Sequence, residues 1–359
     1  MKQFLGALLL DAPRYVWALS RGGRAYLSVR NRHEALERAP NGTGFRCLWQ
    51  WTSELHAPKI LPALGRWLMR NALRDTPIVR SKTPLFAAPD PHPDVTFVIG
   101  HRGQSRLPHL LATLESIAAQ RDATIECIVV EQDTESQLVG RLPTWVRHIH
   151  LPPPRDDLPY CRSWTFNVAA DQARGRILIL HDNDMLVPSQ YASRVVERVA
   201  SGFAVVNLKR FVFYLSESHT NKVFSGDQNV NSQPPESIIQ NLEGGGSVAI
   251  TAGAFARIGG MDEAFVGWGG EDNEFWERAG TLAVWPYGEL PIVHLWHAAQ
   301  PRKQDADNPT LKLYADLAKT PAAQRITALR ARQRGSLHGP SSSESLATQA
   351  NLKESLNTP

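Results

Sequence analysis

Cysteine is scarce in this chain. Its 359 residues include three, Cys47, Cys127 and Cys161, which are far apart, odd in number and without a Cys-x-x-Cys pair. That pattern argues against a disulfide framework or a thiolate zinc site, and it fits a reducing compartment. Long apolar runs are also missing, since no stretch approaches the roughly 20 apolar residues that cross a bilayer. The opening, MKQFLGALLLD, has one Lys, a short apolar run ended by Asp11 and no small-residue cleavage site. Charge imbalance is small: 39 Lys and Arg against 35 Asp and Glu give +4, too little to imply nucleic acid. The expectation is a cytoplasmic protein with no nucleic-acid partner and at most peripheral membrane contact.

What is present is enough for an ordinary globular chain of about two domains, with 42% hydrophobic and 21% charged residues. Residues 1–91 are rich in Arg, Leu and Trp and end in the proline-studded TPLFAAPDPHP. They are expected to form a mainly helical, basic extension. Within it, KILPALGRWLMRNAL (59–73) puts Ile60, Leu61, Leu64, Trp67 and Leu68 on one helical stripe, with Lys59, Arg66, Arg70 and Arg74 around it. Such a helix either packs its stripe on the main domain or docks on anionic lipid. Residues 92–334 form the expected main domain, and the Ser-rich 335–359 reads as a flexible tail.

The middle region alternates strand-like runs with helical ones. DVTFVIG, TIECIVVEQD and RILILHD have strand character, whereas LPHLLATLESIAAQ and SWTFNVAADQARG have helical periodicity. Alternation of this kind predicts an α/β fold with a parallel sheet and crossover connections. Ligands of such sheets lie beyond the carboxyl ends of the strands. The polar clusters His101–Arg102, Glu131–Asp133 and Asp182–Asp184 all fall there.

Two motifs carry chemistry. His181-Asp182-Asn183-Asp184 follows the apolar ILIL directly. Two carboxylates at the end of a buried strand are costly unless a cation neutralises them, and a divalent cation shared with phosphate oxygens suits hard carboxylate ligands. The bland alternative is a turn or cap. The second motif is GWGGEDNEFWER (267–278). Glu271 and Asp272 precede the helical NEFWERA and could cap it, but capping needs one carboxylate. The glycines around Trp268 suit mobility or close approach to a ligand.

These segments resemble GT-A glycosyltransferases of a family 2-like kind, with a β-1,4-galactosyltransferase-like GWGGED segment. The resemblance runs from about Asp94 to His297. It implies a mixed, nucleotide-sugar-binding sheet flanked by helices, a UDP-sugar donor, a glycan or lipid-linked acceptor, and Mn2+ or Mg2+. It also implies roles for individual residues. Asp184 and His297 would ligate the metal, joined by His294 where the galactosyltransferases use a thioether. Asp182 would hold the ribose or phosphate side of the donor. His101, Arg102, Asp133 and Arg162 would line the nucleotide pocket, and Trp268 would close over donor and acceptor. Asp272 would be the catalytic base, with Glu271 an adjacent acceptor-binding acid. Asn273 departs from the family's third acid in line. Asp at 272, rather than Asn, favours inverting transfer over the retaining polypeptide N-acetylgalactosaminyltransferases. Galactose or N-acetylgalactosamine is the favoured sugar, and a bacterial role in surface-polysaccharide synthesis is expected. The rival readings are a retaining transferase or nucleotidyltransferase, or a non-catalytic carbohydrate-binding subunit.

Overall fold

The computed structural model describes residues 1–29, 35–39, 44–48, 52–85, 92–299 and 307–335. The centre of the proline-studded linker and almost all of the Ser-rich tail lie outside these residues. Two sheets organise the chain. The larger has seven strands in the order 284–285, 205–206, 247–251, 177–181, 95–101, 125–131 and 147–150. The last four of these run parallel, and 247–251 joins antiparallel to 177–181. Val95–His101 is buried along its whole length, as a strand covered on both faces must be. Helices Leu107–Ala118 and Arg162–Gln172 connect these strands. The fold is mixed α/β with sheets flanked by helices, as the resemblance implies; the alternating pattern predicts its parallel strands.

The smaller sheet has five strands in the order 53–54, 237–240, 209–214, 290–294 and 185–186. The Asp182–Asp184 turn lies between Ile177–His181 of the larger sheet and Met185–Leu186 of the smaller. The chain therefore crosses from one sheet to the other at its two carboxylates. Met185 pairs with His294 in an antiparallel ladder, which sets that histidine beside the turn.

The N-terminal residues pack on the smaller sheet. Tyr15, Ala18, Leu68 and Met69 share one buried core with Phe211, Phe213, Val293 and Leu295. The expected helix over 59–73 is corrected: helices Ala57–Ile60 and Pro62–Asp75 are separate. Leu61 between them is non-helical, at φ −128° and ψ 88°, because a residue before proline is driven out of the α region. The buried stripe shifts to Gly65, Leu68, Met69, Ala72 and Leu73, while Ile60 and Leu61 are exposed. Two of the four cations of this segment are engaged elsewhere in the fold. Lys59 pairs with Glu54 at 2.7 Å, and Arg66 donates to the Ser232 carbonyl at 2.7 Å.

Candidate active site

Arg162, the first residue of its helix, gathers three carboxylates. Its guanidinium pairs with Asp182 at 2.7 Å, with Asp272, and with Glu271 at 3.8 Å. The same group lies over the Phe166 ring at 4.5 Å. Burial disfavours the charged guanidinium, but the three carboxylates outweigh it and raise its pKa further. For Asp182 burial dominates; with Asp272 and Asp184 adding to it against Arg162, the carboxyl is pushed up to about 6. Glu271 is buried and pushed up to about 7 by desolvation and then by Asp272.

The two acids of the GWGGED segment have different surroundings. The helix begins at Glu271 rather than at Asn273, spanning Glu271–Ala279, so both acids sit in its first turn, where carboxylates meet the positive end of the helix. Glu271 turns inward and accepts the Gly269 N–H at 3.1 Å. Asp272 is 30% exposed and faces Arg162. Gly267, Gly269 and Gly270 have φ of 107°, 104° and 88°, conformations that L side chains rarely adopt. A Cβ on Gly244 would lie 2.6 Å from the Asp272 carbonyl oxygen, so a second glycine run closes against this turn.

A second centre lies at Asp184. Its carboxylate, His294 and His297 bring one ligand atom each within 4.8 Å of one another. His297 Nε2 is 3.4 Å and His294 Nε2 3.9 Å from Asp184. His297 Nδ1 donates to the Ala298 carbonyl at 2.7 Å, which leaves the Nε2 lone pair facing Asp184 in the neutral ring. His294 stacks on Tyr214 with centroids 4.3 Å apart. Burial would raise the Asp184 carboxyl, but His294, Arg106 and His297 together hold it below its ordinary value. One carboxylate and two imidazoles form a donor set that suits a divalent transition metal.

The remaining expected residues occupy defined places. Asp133 accepts the Gly103 N–H at 2.8 Å and lies 3.8 Å from Arg102. Arg102 also donates to the Leu158 carbonyl at 2.7 Å. His101 is wholly buried, its Nδ1 accepting from Asn183 at 3.1 Å; it therefore braces the turn between the two acids. Trp268 is 40% exposed.

Residues 236–283 match a galactosyltransferase family model. The matching description is the N-terminal domain of galactosyltransferase, and the matched residues hold the glycine runs, both acids and the helix they begin. Zebrafish (Danio rerio) β-1,4-galactosyltransferase 5 is 47% identical over 49 residues, 13% of this chain and 13% of that protein. Among solved structures, GalNAc-T7 with UDP, GalNAc and Mn2+ is similar at a TM-score of 0.42 and 14% identity, over 65% of this chain and 50% of that one. The catalytic domain of Drosophila β1,4-galactosyltransferase 7 with xylobiose gives 0.35 and 13%, over 62% and 79%.

Around the galactosyltransferase-like segment stand residues that the sequence reading missed. Arg106 pairs with Asp184 at 3.0 Å; its place in GHRGQSR, beyond the first strand, was a usable signal. Lys209 is buried and holds the second glycine run, donating to the carbonyls of Ser247 at 2.6 Å and Glu243 at 3.1 Å. Desolvation lowers its pKa to about 7. Asn308 and Thr310 donate to the Trp268 carbonyl at 3.0 and 2.5 Å. Nothing in the sequence pattern marks these last contacts, which span some 40 residues of chain.

Proposed function

We propose that this chain is a metal-dependent, inverting glycosyltransferase. It moves a hexose, with galactose or N-acetylgalactosamine favoured, from a UDP-sugar to a hydroxyl of a glycan or lipid-linked sugar. The observation that carries this reading is the placement of a partly exposed carboxylate, Asp272, on the guanidinium that also holds Asp182, two residues from the Asp184–His294–His297 cluster. The galactosyltransferase match over the segment that contains Asp272 supports it.

Asp184, His294 and His297 would hold Mn2+ or Mg2+. When bound there, the cation neutralises the diphosphate of the donor and of the leaving UDP. Asp272 takes the proton of the acceptor hydroxyl while that oxygen bonds to the anomeric carbon. The anomeric C–O bond to the diphosphate breaks, and UDP departs with the electron pair. Attack from the face opposite the leaving group inverts the anomeric centre. Asp182 and Arg162 position the donor, joined by Arg102 and Asp133. Trp268 covers the sugars and excludes water, so that transfer outruns hydrolysis. Glu271, buried against its own loop, holds Asp272 and Trp268 in register. Sparse cysteine use supports a cytoplasmic setting, and surface-polysaccharide synthesis is the proposed role.

The test is UDP release from a panel of UDP-hexoses with sugar acceptors, with manganese and with chelator. Manganese-dependent release from one donor, with inverted product, is expected. Pyrophosphate release or a retained anomer would replace this reading with the nucleotidyltransferase or the retaining one.

A further inference from the structure

Exposed apolar surface is unevenly distributed. Of the fifteen large hydrophobic side chains exposed among the described residues, nine lie within residues 1–19. Those residues form a continuous helical run, Lys2–Gly6, Ala7–Asp11 and Ala12–Arg21. Its inner face is Ala7, Tyr15 and Ala18, which join the core of the smaller sheet. Its outer face shows Leu5, Leu8, Leu9, Val16, Trp17 and Leu19, from 47% to 66% exposed. Ordinary surface helices put polar residues outward, so this face is built to be covered. Ile60, at the end of helix Ala57–Ile60, and Leu61 just after it are also exposed, and the start of that helix donates two backbone N–H groups to Asp11, at 2.6 and 2.8 Å.

Charge selects the cover. Lys2, Arg21 and Arg24 are exposed around the face, and the Arg21 guanidinium lies over the Trp17 ring at 5.7 Å. The lone acid in residues 1–28, Asp11, is spent on the backbone of His56 and Ala57. A second copy of the chain packing the same face would bring these cations against their own images. An anionic lipid surface accepts the apolar side chains among its acyl chains and the cations among its headgroups. We infer that residues 2–21 are a membrane-surface anchor for anionic phospholipid, distinct from the helix at 62–75, whose stripe is turned inward.

The experiment is co-sedimentation of the full chain with vesicles of phosphatidylglycerol and phosphatidylcholine, against phosphatidylcholine alone, at low and high salt. The wild type is expected to bind the anionic vesicles and to release with salt. Leu8→Glu/Val16→Glu should bind at least ten-fold more weakly with an unchanged melting curve. Arg21→Gln/Arg24→Gln, which alters no core residue, should lose the preference for anionic vesicles. Absence of wild-type binding, or equal binding by both variants, would overturn the inference. So would a concentration-dependent dimer that Leu8→Glu/Val16→Glu dissociates without any vesicle binding.

Discussion

A single guanidinium facing three carboxylates makes Arg162 the residue on which the local charge balance turns. Replacing it with Met would leave Asp182, Asp272 and Glu271 crowded without the guanidinium that pairs with all three. Loss of one partner from a buried pair typically costs about 3–5 kcal/mol. The lower end is expected, about 3 kcal/mol, because Asp182 and Asp272 are nearly a third exposed; chemical denaturation of Arg162→Met checks it. Asp184→Ala separates metal from nucleotide: manganese-dependent UDP binding should fall sharply in calorimetry, while binding without metal should change little. The acids in both predictions are legible in the sequence, since HDND and GWGGED are contiguous motifs, whereas the pairing of Arg162 with three of them is not. The partners that tune them, Arg106 and Lys209, arrive from elsewhere in the chain.

The Asp272 turn is shaped by elements that were only half legible. Helical periodicity gave NEFWERA, but the extra turn at Glu271 and Asp272 depends on three glycines at positive φ, a backbone property that periodicity does not carry. The same limit applies at Leu61, where proline chemistry overrode a continuous apolar stripe. Gly244 tests how closely the turn is fitted. Its Cβ would meet the Asp272 backbone oxygen at 2.6 Å, so Gly244→Ala should displace the proposed base. A misplacement of about 1 Å can cost on the order of 100-fold in rate. Turnover should drop by at least about ten-fold, with UDP affinity nearly unchanged; steady-state kinetics beside UDP titration would show the split. Equal losses in both would point to a collapsed site instead.

Across the whole molecule, the parallel sheet was readable from strand and helix alternation, but the second sheet was not. Its strands at 209–214 and 290–294 lie far apart in sequence and pair in parallel, and the second of them also pairs with 185–186, which brings His294 to Asp184. The larger sheet also carries two pH-sensitive groups. His101 and His181 are buried, and desolvation lowers both to about 4, against about 6.5 in an unfolded chain. Between those values these two rings bind more protons in the unfolded chain than in the folded one, so their contribution disfavours folding as pH drops. Asp182 and Glu271, pushed up to about 6 and about 7, act in the opposite sense over the same range, so the histidine contribution is read by difference. From pH 7 to pH 5 the melting temperature of a His101→Gln/His181→Gln variant that still folds should shift upward relative to its pH 7 value by more than that of the wild type. Beneath the site, the N-terminal helices share a core with the sheet that bears His294, which couples the proposed lipid anchor to the same body as the proposed catalytic centre.

The most direct test of the account is Asp272→Asn, assayed for UDP release from the active UDP-hexose with manganese and acceptor. Loss of a positioned general base typically costs about 10²–10⁴-fold in rate, and a loss in that range with manganese-dependent UDP binding retained is the predicted result. Turnover near the wild-type level in Asp272→Asn would contradict the account.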